Sequence, residues 1–173
     1  RVLVQDTHFA RAEAFARELS GAAKLPIEPV RDAAAAAAAS DVVVTCTPGR
    51  EQVLAAGDLR PGSFLAAVGA DSESKRELDP KLLAQSVVFV DSRQQCAAIG
   101  ELHHAIAANV MSVADVRADL AEVVGGVRAG RRSDSEVIVF DSTGTALQDV
   151  AAAAVVYERA KATGRGQEIA LGT

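Results

Sequence analysis

The sequence contains few aromatic residues and no excess of positive charge. Aromatics make up 3% of its 173 residues and tryptophan is absent, so stacking of nucleic-acid bases on aromatic rings is not expected. The formal net charge of −5 at pH 7 argues against an electrostatic nucleic-acid footprint. No apolar run approaches the roughly 18 residues that a membrane-spanning helix needs. We therefore expect neither nucleic acid nor a membrane as a partner.

Cysteine is also scarce. Cys46 and Cys96 are the only two, too few for a disulfide framework or a cysteine metal cluster. No signal peptide is visible, and we expect a cytoplasmic protein with reduced thiols. Cys46 is predicted to be a buried thiol, because no nearby histidine would activate it. His103 and His104 are predicted to be a surface or loop pair rather than metal ligands, because adjacent residues of a helix face different ways.

Short apolar runs alternate with helical patterns along a chain that is 49% hydrophobic. This alternation predicts an α/β fold with a parallel sheet. The predicted strands are 2–5, 25–30, 41–45, 64–68, 87–90 and 137–140. The predicted helices are 9–19, 33–39, 79–85, 92–99, 115–124 and 145–163. Residues 100–135 otherwise read as loops, and the alanine run 33–39 has a low-complexity linker as its alternative.

The end of the predicted strand 64–68 is the strongest indication of chemistry. The strand stops at Gly69 and Ala70 and is followed by Asp71. Ligands of open α/β sheets bind outside the carboxyl ends of the strands, which makes Asp71 a candidate general acid/base. Its alternative role is a helix cap or turn residue. Lys75 could bind a phosphate, a carboxylate or Asp71 itself, or be a surface charge.

Three other segments follow predicted strands or precede predicted helices. Asp6 could accept the ribose hydroxyls of NAD or cap the helix that follows it. The hydroxyls of residues 45–48 could bind a nucleotide or belong to an ordinary turn. Residues 142–145 precede the long helix, where they could bind an anion or cap the helix.

Short motifs in a specific order connect these segments. They are DVVVTCTP from Asp41, LRPG from Leu59, VGADSESKREL from Val68, VDSR from Val90, GEL from Gly100, EVVGG from Glu122, RSDSE from Arg132 and FDSTGTALQDV from Phe140. Together they resemble the ornithine cyclodeaminase/mu-crystallin family over almost the whole chain. The last motif is similar to the archaeal-type alanine dehydrogenases within that family.

The resemblance implies a Rossmann-like, doubly wound parallel sheet that uses NAD as cofactor. It implies a homodimer whose substrate is a small amino acid or cyclic imine. Residues 1–145 would form the NAD-binding domain without its first strand and glycine-rich turn, so upstream sequence is expected. Residues 146–173 would be a helix and tail that pack on an N-terminal substrate and dimerisation domain. Without that domain, we expect this chain not to turn over.

The resemblance also implies roles for individual residues. Asp71 matches the catalytic acid/base and Asp6 matches the ribose-binding acid. The positions that match the cofactor lining are Thr47, Leu65, Ala66, Ala67, Val68, Lys75 and Ser142. Thr143 matches a position at the substrate, and no metal is implied. The Pro-Gly that usually precedes the motif lysine is Glu73-Ser74 here.

Several reactions remain open within this resemblance. Oxidation at Cα followed by attack of water would give a 2-oxo acid and ammonia, as in alanine dehydrogenase. Attack by the substrate's own side-chain amine would close a ring with loss of ammonia and with NAD recycled, as in ornithine cyclodeaminase. The alternatives are a cyclic ketimine reductase, or a mu-crystallin-like protein that binds a nucleotide and a small ligand without catalysis as its main role.

Overall fold

A computed structural model describes residues 1–167 and Ile169 of the chain. The chain divides into two compact units, residues 1–143 and 144–173. The strands of the first unit are β1 (Val2–Gln5), β2 (Ile27–Val30), β3 (Val42–Thr45), β4 (Phe64–Ala67), β5 (Val87–Val90), β6 (Ala118–Asp119) and β7 (Ile138–Asp141). Its helices are α1 (Phe9–Ala23), α2 (Ala33–Ala38), α3 (Pro80–Ala84), α4 (Arg93–Ile99), α5 (Glu101–Ala107) and α6 (Leu120–Val124).

The second unit contains a single long helix in its described part. This helix, α7, spans Ala146–Thr163 and ends at Gly164, whose φ of 63° is left-handed. Glycine adopts that conformation without the steric cost that a Cβ imposes, so it stops the helix as the sequence predicts. The predicted tail at residues 168 and 170–173 lies outside the described residues.

All strands pair in parallel, which confirms the predicted α/β class. The main sheet has the order β3-β4-β7-β5-β6, and β1 and β2 form a separate pair. In a doubly wound sheet of order 3-2-1-4-5-6, one strand lies between the strands that correspond to β1 and β3 here. A groove of about 160 Å³ lies there, and it is lined by Leu3 and Gln5 of β1, by α2, and by β3.

The core occupies both faces of the main sheet. Alternate residues of a strand point to opposite faces, so Leu65, Val90 and Val139 pack with Leu83 of α3 and Leu102 of α5. The neighbouring strand residues form the second cluster, which contains Phe89, Ala118 and Ile138. Helices α3 and α5 pack on one face and Val123 of α6 packs on the other, so apolar contacts on both faces hold the strands in place.

Local signals placed most helix starts correctly. The carboxyl group of Asp32 accepts a hydrogen bond from the amide of Ala35 at 3.0 Å and caps α2. The alanine run is therefore a helix rather than a linker. Pro80 occupies the first turn of α3, and Asp79 accepts from the amide of Lys81 at 2.9 Å.

Two features of the N-terminal half differ from the predictions. Helix α1 continues through Gly21 to Ala23 and ends at Lys24, whose φ is 53°. Strand β3 was predicted to be buried, but Val42 and Val44 are 62% and 60% exposed. The reason is that β3 is the edge strand of its sheet and borders the groove.

The segment from residue 100 to 135 is more ordered than predicted. It contains α5, a 3₁₀ turn at Val113–Asp115 and the short strand β6. Helix α6 begins at Leu120 rather than at residue 115, because Ala118 pairs with Phe89 of β5 and keeps the chain extended. These elements depend on distant partners and therefore leave little local pattern.

Candidate functional site

The carboxyl ends of four strands lie side by side at one edge of the main sheet. Thr45 of β3 is level with Ala67 of β4, and Ala67 is level with Asp141 of β7. Asp141 is level with Val90 of β5 on its other side. The segments that follow these strands therefore meet where open α/β sheets bind their ligands.

Asp71 and Lys75 are in direct contact after β4. The Oδ1 atom of Asp71 is 2.6 Å from Nζ of Lys75, and the two side chains are 54% and 27% exposed. Of the partners considered for Lys75, the structure selects Asp71 itself. The amide of Lys75 donates to the carbonyl of Ser72 at 3.0 Å, so Asp71 precedes a turn and caps no helix. Its carboxyl group is accessible for proton exchange with a ligand.

Helix α5 fixes this turn from outside. Nε2 of His104 lies 2.7 Å from the carbonyl oxygen of Lys75. His103 and His104 both lie in helix α5 and are half-buried, so they are not the surface or loop pair that was predicted. Among the described residues, no group of three or more His, Cys, Asp or Glu side chains could hold a metal ion.

Asp6 lies directly after β1, as predicted. Its Oδ1 atom accepts a hydrogen bond from the amide of His8 at 2.7 Å, which shapes the turn into α1. His8 itself is the residue that precedes the first turn of α1, so Asp6 supports the helix start without being its cap. The groove brings Gln5, the neighbour of Asp6, together with Thr45 and Thr47.

The residues expected to line the cofactor differ in accessibility. The amide of Thr47 donates to Oε1 of Glu77 at 2.5 Å, and its hydroxyl accepts from the amide of Gly49 at 3.2 Å.

The side chains of Leu65 and Ala67 are packed in the core at 0% and 1% exposure. Ala66 is half-buried, and Val68 is 42% exposed. Val68 therefore presents the largest ligand-accessible apolar surface of this strand end.

Asp91, at the end of β5, organises the segment after β7. Its Oδ2 atom accepts from the hydroxyl of Ser142 at 3.0 Å and from the amide of Thr143 at 2.9 Å. Its Oδ1 atom accepts from the hydroxyl of Thr143 at 3.4 Å. The hydroxyls of Ser142 and Thr143 are thus oriented by a carboxyl group whose role sequence reasoning missed, although the motif from Val90 contains it.

Three buried carboxyl groups that no pattern had indicated lie behind the strand ends. Glu77, Glu101 and Asp141 are 0%, 1% and 0% exposed. Asp141 accepts from the amides of Glu101 and Leu102 at 3.1 and 2.9 Å. The sequence signal for Glu77 and Glu101 is the Glu-Leu pair in the motifs that end at Leu78 and Leu102, and the signal for Asp141 is its place in the motif from Phe140.

Burial governs the electrostatics of this group. Loss of hydration raises the pKa of Glu101 to about 8, and the backbone amides that donate to it only partly oppose this. Loss of hydration also raises the pKa of Asp141 to about 6. The neighbouring Cys96 thiol is buried, and loss of hydration together with nearby carboxyl groups raises its pKa. Cys96 is therefore an unreactive core thiol.

Cys46 is exposed, which corrects the prediction of a buried thiol. It directly follows β3, and the edge position of that strand leaves it uncovered. Its neighbour Thr45 is buried, and the Thr45 hydroxyl has no hydrogen-bond partner among the described residues. Thr45 also lines the groove, and its hydroxyl oxygen is itself buried.

Comparison with known proteins gives a consistent result. The model of the ornithine cyclodeaminase/mu-crystallin family matches residues 1–164. Alanine dehydrogenase from Archaeoglobus fulgidus is 43% identical over 129 residues, which cover 75% of this chain and 40% of that protein. The chain spans about half the length, 40% to 48%, of the curated relatives first matched.

Two solved structures share the fold. An archaeal alanine dehydrogenase dimer with bound NAD has a TM-score of 0.88 and 36% identity, covering 99% of this chain and 52% of that one. The Δ(1)-pyrroline-2-carboxylate reductase of Thermococcus litoralis, in complex with NADH and L-proline, has a TM-score of 0.92 and 32% identity, covering 96% and 52%. The Rossmann-like fold class is thereby confirmed. None of the helices in the described part of the chain combines the length and apolar character that a membrane crossing requires.

Proposed function

Because the chain belongs to the ornithine cyclodeaminase/mu-crystallin family, we propose that it is the NAD-binding part of an oxidoreductase. The proposed reaction takes place at the Cα–N bond of a small amino acid. The observation that carries the proposal is the convergence of the strand ends, which brings Asp71, Lys75, Thr47 and Ser142 to one edge of the sheet. The archaeal alanine dehydrogenase of the same fold binds NAD, which supports the choice of cofactor.

The residues present fit a dinucleotide. Val68 follows β4 directly and is 42% exposed, so it offers a ligand an apolar surface beside the strand ends. Thr45 lines the groove between β1 and β3, and its buried hydroxyl has no hydrogen-bond partner in the described part of the chain. Asp6 follows β1, where a carboxylate binds the ribose hydroxyls of NAD and repels a ribose 2′-phosphate. We therefore assign Asp6, Thr47, Val68, Lys75 and Ser142 to the cofactor side.

Asp71 is assigned the proton transfers. Bound NAD would supply the hydride acceptor for Cα and, where a side-chain amine closes a ring, would supply the same hydride to the cyclic imine, so that NAD is regenerated. Asp71 removes the proton of the water, or side-chain amine, that attacks the resulting imine carbon, and returns it to the departing ammonia. Lys75 holds the Asp71 carboxyl group in place through their ion pair. Thr143 is assigned to the substrate, with Asp91 orienting its hydroxyl.

Reduction of a cyclic imine is the second candidate function. It is favoured by the match to a reductase whose structure contains NADH and L-proline. In this direction Asp71 donates a proton to the imine nitrogen.

We further propose a homodimer, since the archaeal alanine dehydrogenase is a dimer, and a cytoplasmic location, which suits two free cysteines. The division into domains 1–145 and 146–173 stays a prediction.

The experiment compares substrates and one matched pair of variants in the protein that contains this chain. NADH formation is measured with alanine, ammonia release with ornithine, because ring closure regenerates NAD and leaves no net NADH, and NADH consumption with Δ(1)-pyrroline-2-carboxylate. Asp71→Asn is expected to lower kcat by about 10²- to 10⁴-fold, the usual contribution of a general acid/base. Glu73→Gln removes an exposed acid two residues away and should leave kcat unchanged. Wild-type turnover in Asp71→Asn would refute the assignment.

A further inference from the structure

The carboxyl group of Glu77 joins the ends of two neighbouring strands. Its Oε1 atom accepts from the amide of Thr47, which follows β3, at 2.5 Å. Its Oε2 atom accepts from the amide of Gly69, which follows β4, at 3.0 Å. Thr47 belongs to the proposed cofactor side, and Gly69 is two residues before Asp71. One side chain therefore spans both halves of the proposed site.

The backbone is adapted to this carboxyl group. A Cβ atom on Gly69 would collide with the carboxyl carbon and Oε1 of Glu77 and with the carbonyl oxygen of Thr47. The φ of Gly69 is not positive, so its conformation does not require glycine. The glycine is needed because the Glu77 carboxyl group lies against its Cα atom.

Glu77 is held in turn by Glu101, the second of the three buried carboxyl groups in the series Glu77, Glu101 and Asp141. The amides of Glu77 and Leu78 donate to Oε1 and Oε2 of Glu101 at 2.7 and 3.2 Å. Glu101 is bound in the same way by Asp141 at the end of β7, where a Cβ on Gly100 would come within 2.7 Å of Asp141 Oδ2. The series thus connects the end of β7 to the ends of β3 and β4.

Filling space does not account for this arrangement. An apolar side chain of similar volume would fill the same position without losing the hydration of a carboxyl group. Two acceptor oxygens, however, hold two N–H groups at a fixed separation, and a side-chain amide cannot do so because one of its ends is a donor. The Glu77 carboxyl group therefore holds the amides of Thr47 and Gly69 in a way that an apolar side chain of the same volume could not.

We infer that Glu77, supported by Glu101 and Asp141, is a positioning residue that sets Thr47 and the Asp71 turn at the spacing that the proposed reaction needs. This inference rests on the proposed oxidoreductase function. Because Glu77 acts through the backbone amides of Thr47 and Gly69, its loss displaces both the cofactor side and the acid side. Displacements of about 1 Å from residues outside the chemistry can cost about 100-fold in rate.

The test compares Glu77→Gln with Val88→Ala, which shortens a core residue of β5 that is 1% exposed. Glu77→Gln is expected to raise KM for NAD and to lower kcat, with a loss of about 100-fold in kcat/KM. Val88→Ala should lower the unfolding temperature but leave both constants unchanged. If Glu77→Gln does not fold, Glu101→Gln keeps the Glu77 carboxyl group and should show a smaller loss in the same two constants above pH 8, where the Glu101 carboxyl group is ionised and accepts from both amides. Constants that match those of Val88→Ala would overturn the inference.

A second measurement separates this inference from the proposed function. Amide hydrogen exchange is followed by NMR at Thr47 and Gly69 in the same variants. Exchange at these two amides should be faster in Glu77→Gln, and in Glu101→Gln, than in Val88→Ala. Absence of NAD-linked turnover in the wild-type protein would refute the function, while unchanged exchange at both amides would refute the positioning role.

Discussion

The burial of Glu101 should make the protein lose stability as the pH rises from 6 to 8. The Glu101 side chain is 1% exposed, and loss of hydration raises its pKa from the usual 4.5 to about 8. The folded protein therefore keeps a proton that the unfolded chain releases above its own lower pKa. A carboxyl group with a raised pKa stabilises the fold fully below the unfolded pKa, and this contribution is lost as the pH rises through the folded value.

The size of the effect follows from the two pKa values. One pKa unit corresponds to about 1.4 kcal/mol, so the contribution of Glu101 falls by about 2 kcal/mol between pH 6 and pH 8. The pKa of Asp141 is raised to about 6, so most of its parallel loss occurs below this window. The pKa of Cys96 is raised as well, and the folded protein keeps that proton throughout the window.

Urea unfolding at pH 6, 7 and 8 measures this loss directly. The wild-type protein and the exposed control Glu73→Gln should both lose about 2 kcal/mol of unfolding free energy over the window. Glu101→Gln cannot titrate and should show a much smaller change, whatever its absolute stability. A wild-type stability that stays level or increases from pH 6 to pH 8 would refute the reasoning, as would an unchanged slope in Glu101→Gln.

Three further predictions test packing, capping and thiol burial. Gly69→Ala should lower the free energy of unfolding in urea by about 1–3 kcal/mol, because the added methyl group collides with a buried carboxyl group. Gly21→Ala in α1 places its methyl group in open space and should raise the free energy of unfolding by about 0.5–1 kcal/mol. Equal effects of the two variants would contradict the packing argument. Asp32→Ala should cost about 1 kcal/mol by removing the cap of α2, and an unchanged urea midpoint would contradict this. A thiol reagent should label Cys46 rapidly in the folded protein and Cys96 only after unfolding, so two rapid equivalents would be inconsistent with the burial.

Most of the α/β framework was predictable because its signals are local. The apolar run 87–90 is a strand with those bounds, and Asp32 and Pro80 mark helix starts through short-range hydrogen bonds and fixed dihedral angles. Helix α5 was missed because its first amides bind Asp141, a residue about forty positions away. Strand β6 was missed because two residues become a strand only by pairing with β5.

The candidate site was predictable in part. Asp71 was singled out from its place after an apolar run and two small residues, and Lys75 from its spacing. Choosing Asp71 as the partner of Lys75 required the distance between them. Cys46 was predicted to be buried because no nearby histidine would activate it, and it is exposed because the strand that it follows is an edge.

The sequence by itself determined the kind of fold, the family and the position of the acid at a strand end. These depend on hydrophobic periodicity, turn residues and motif order, all of which are read along the chain. Only the tertiary structure decided which carboxyl groups are buried and what they hold. Glu77, Glu101 and Asp141 look like ordinary acids in the sequence, and their roles arise because parallel strands bring backbone amides from distant segments within hydrogen-bond distance.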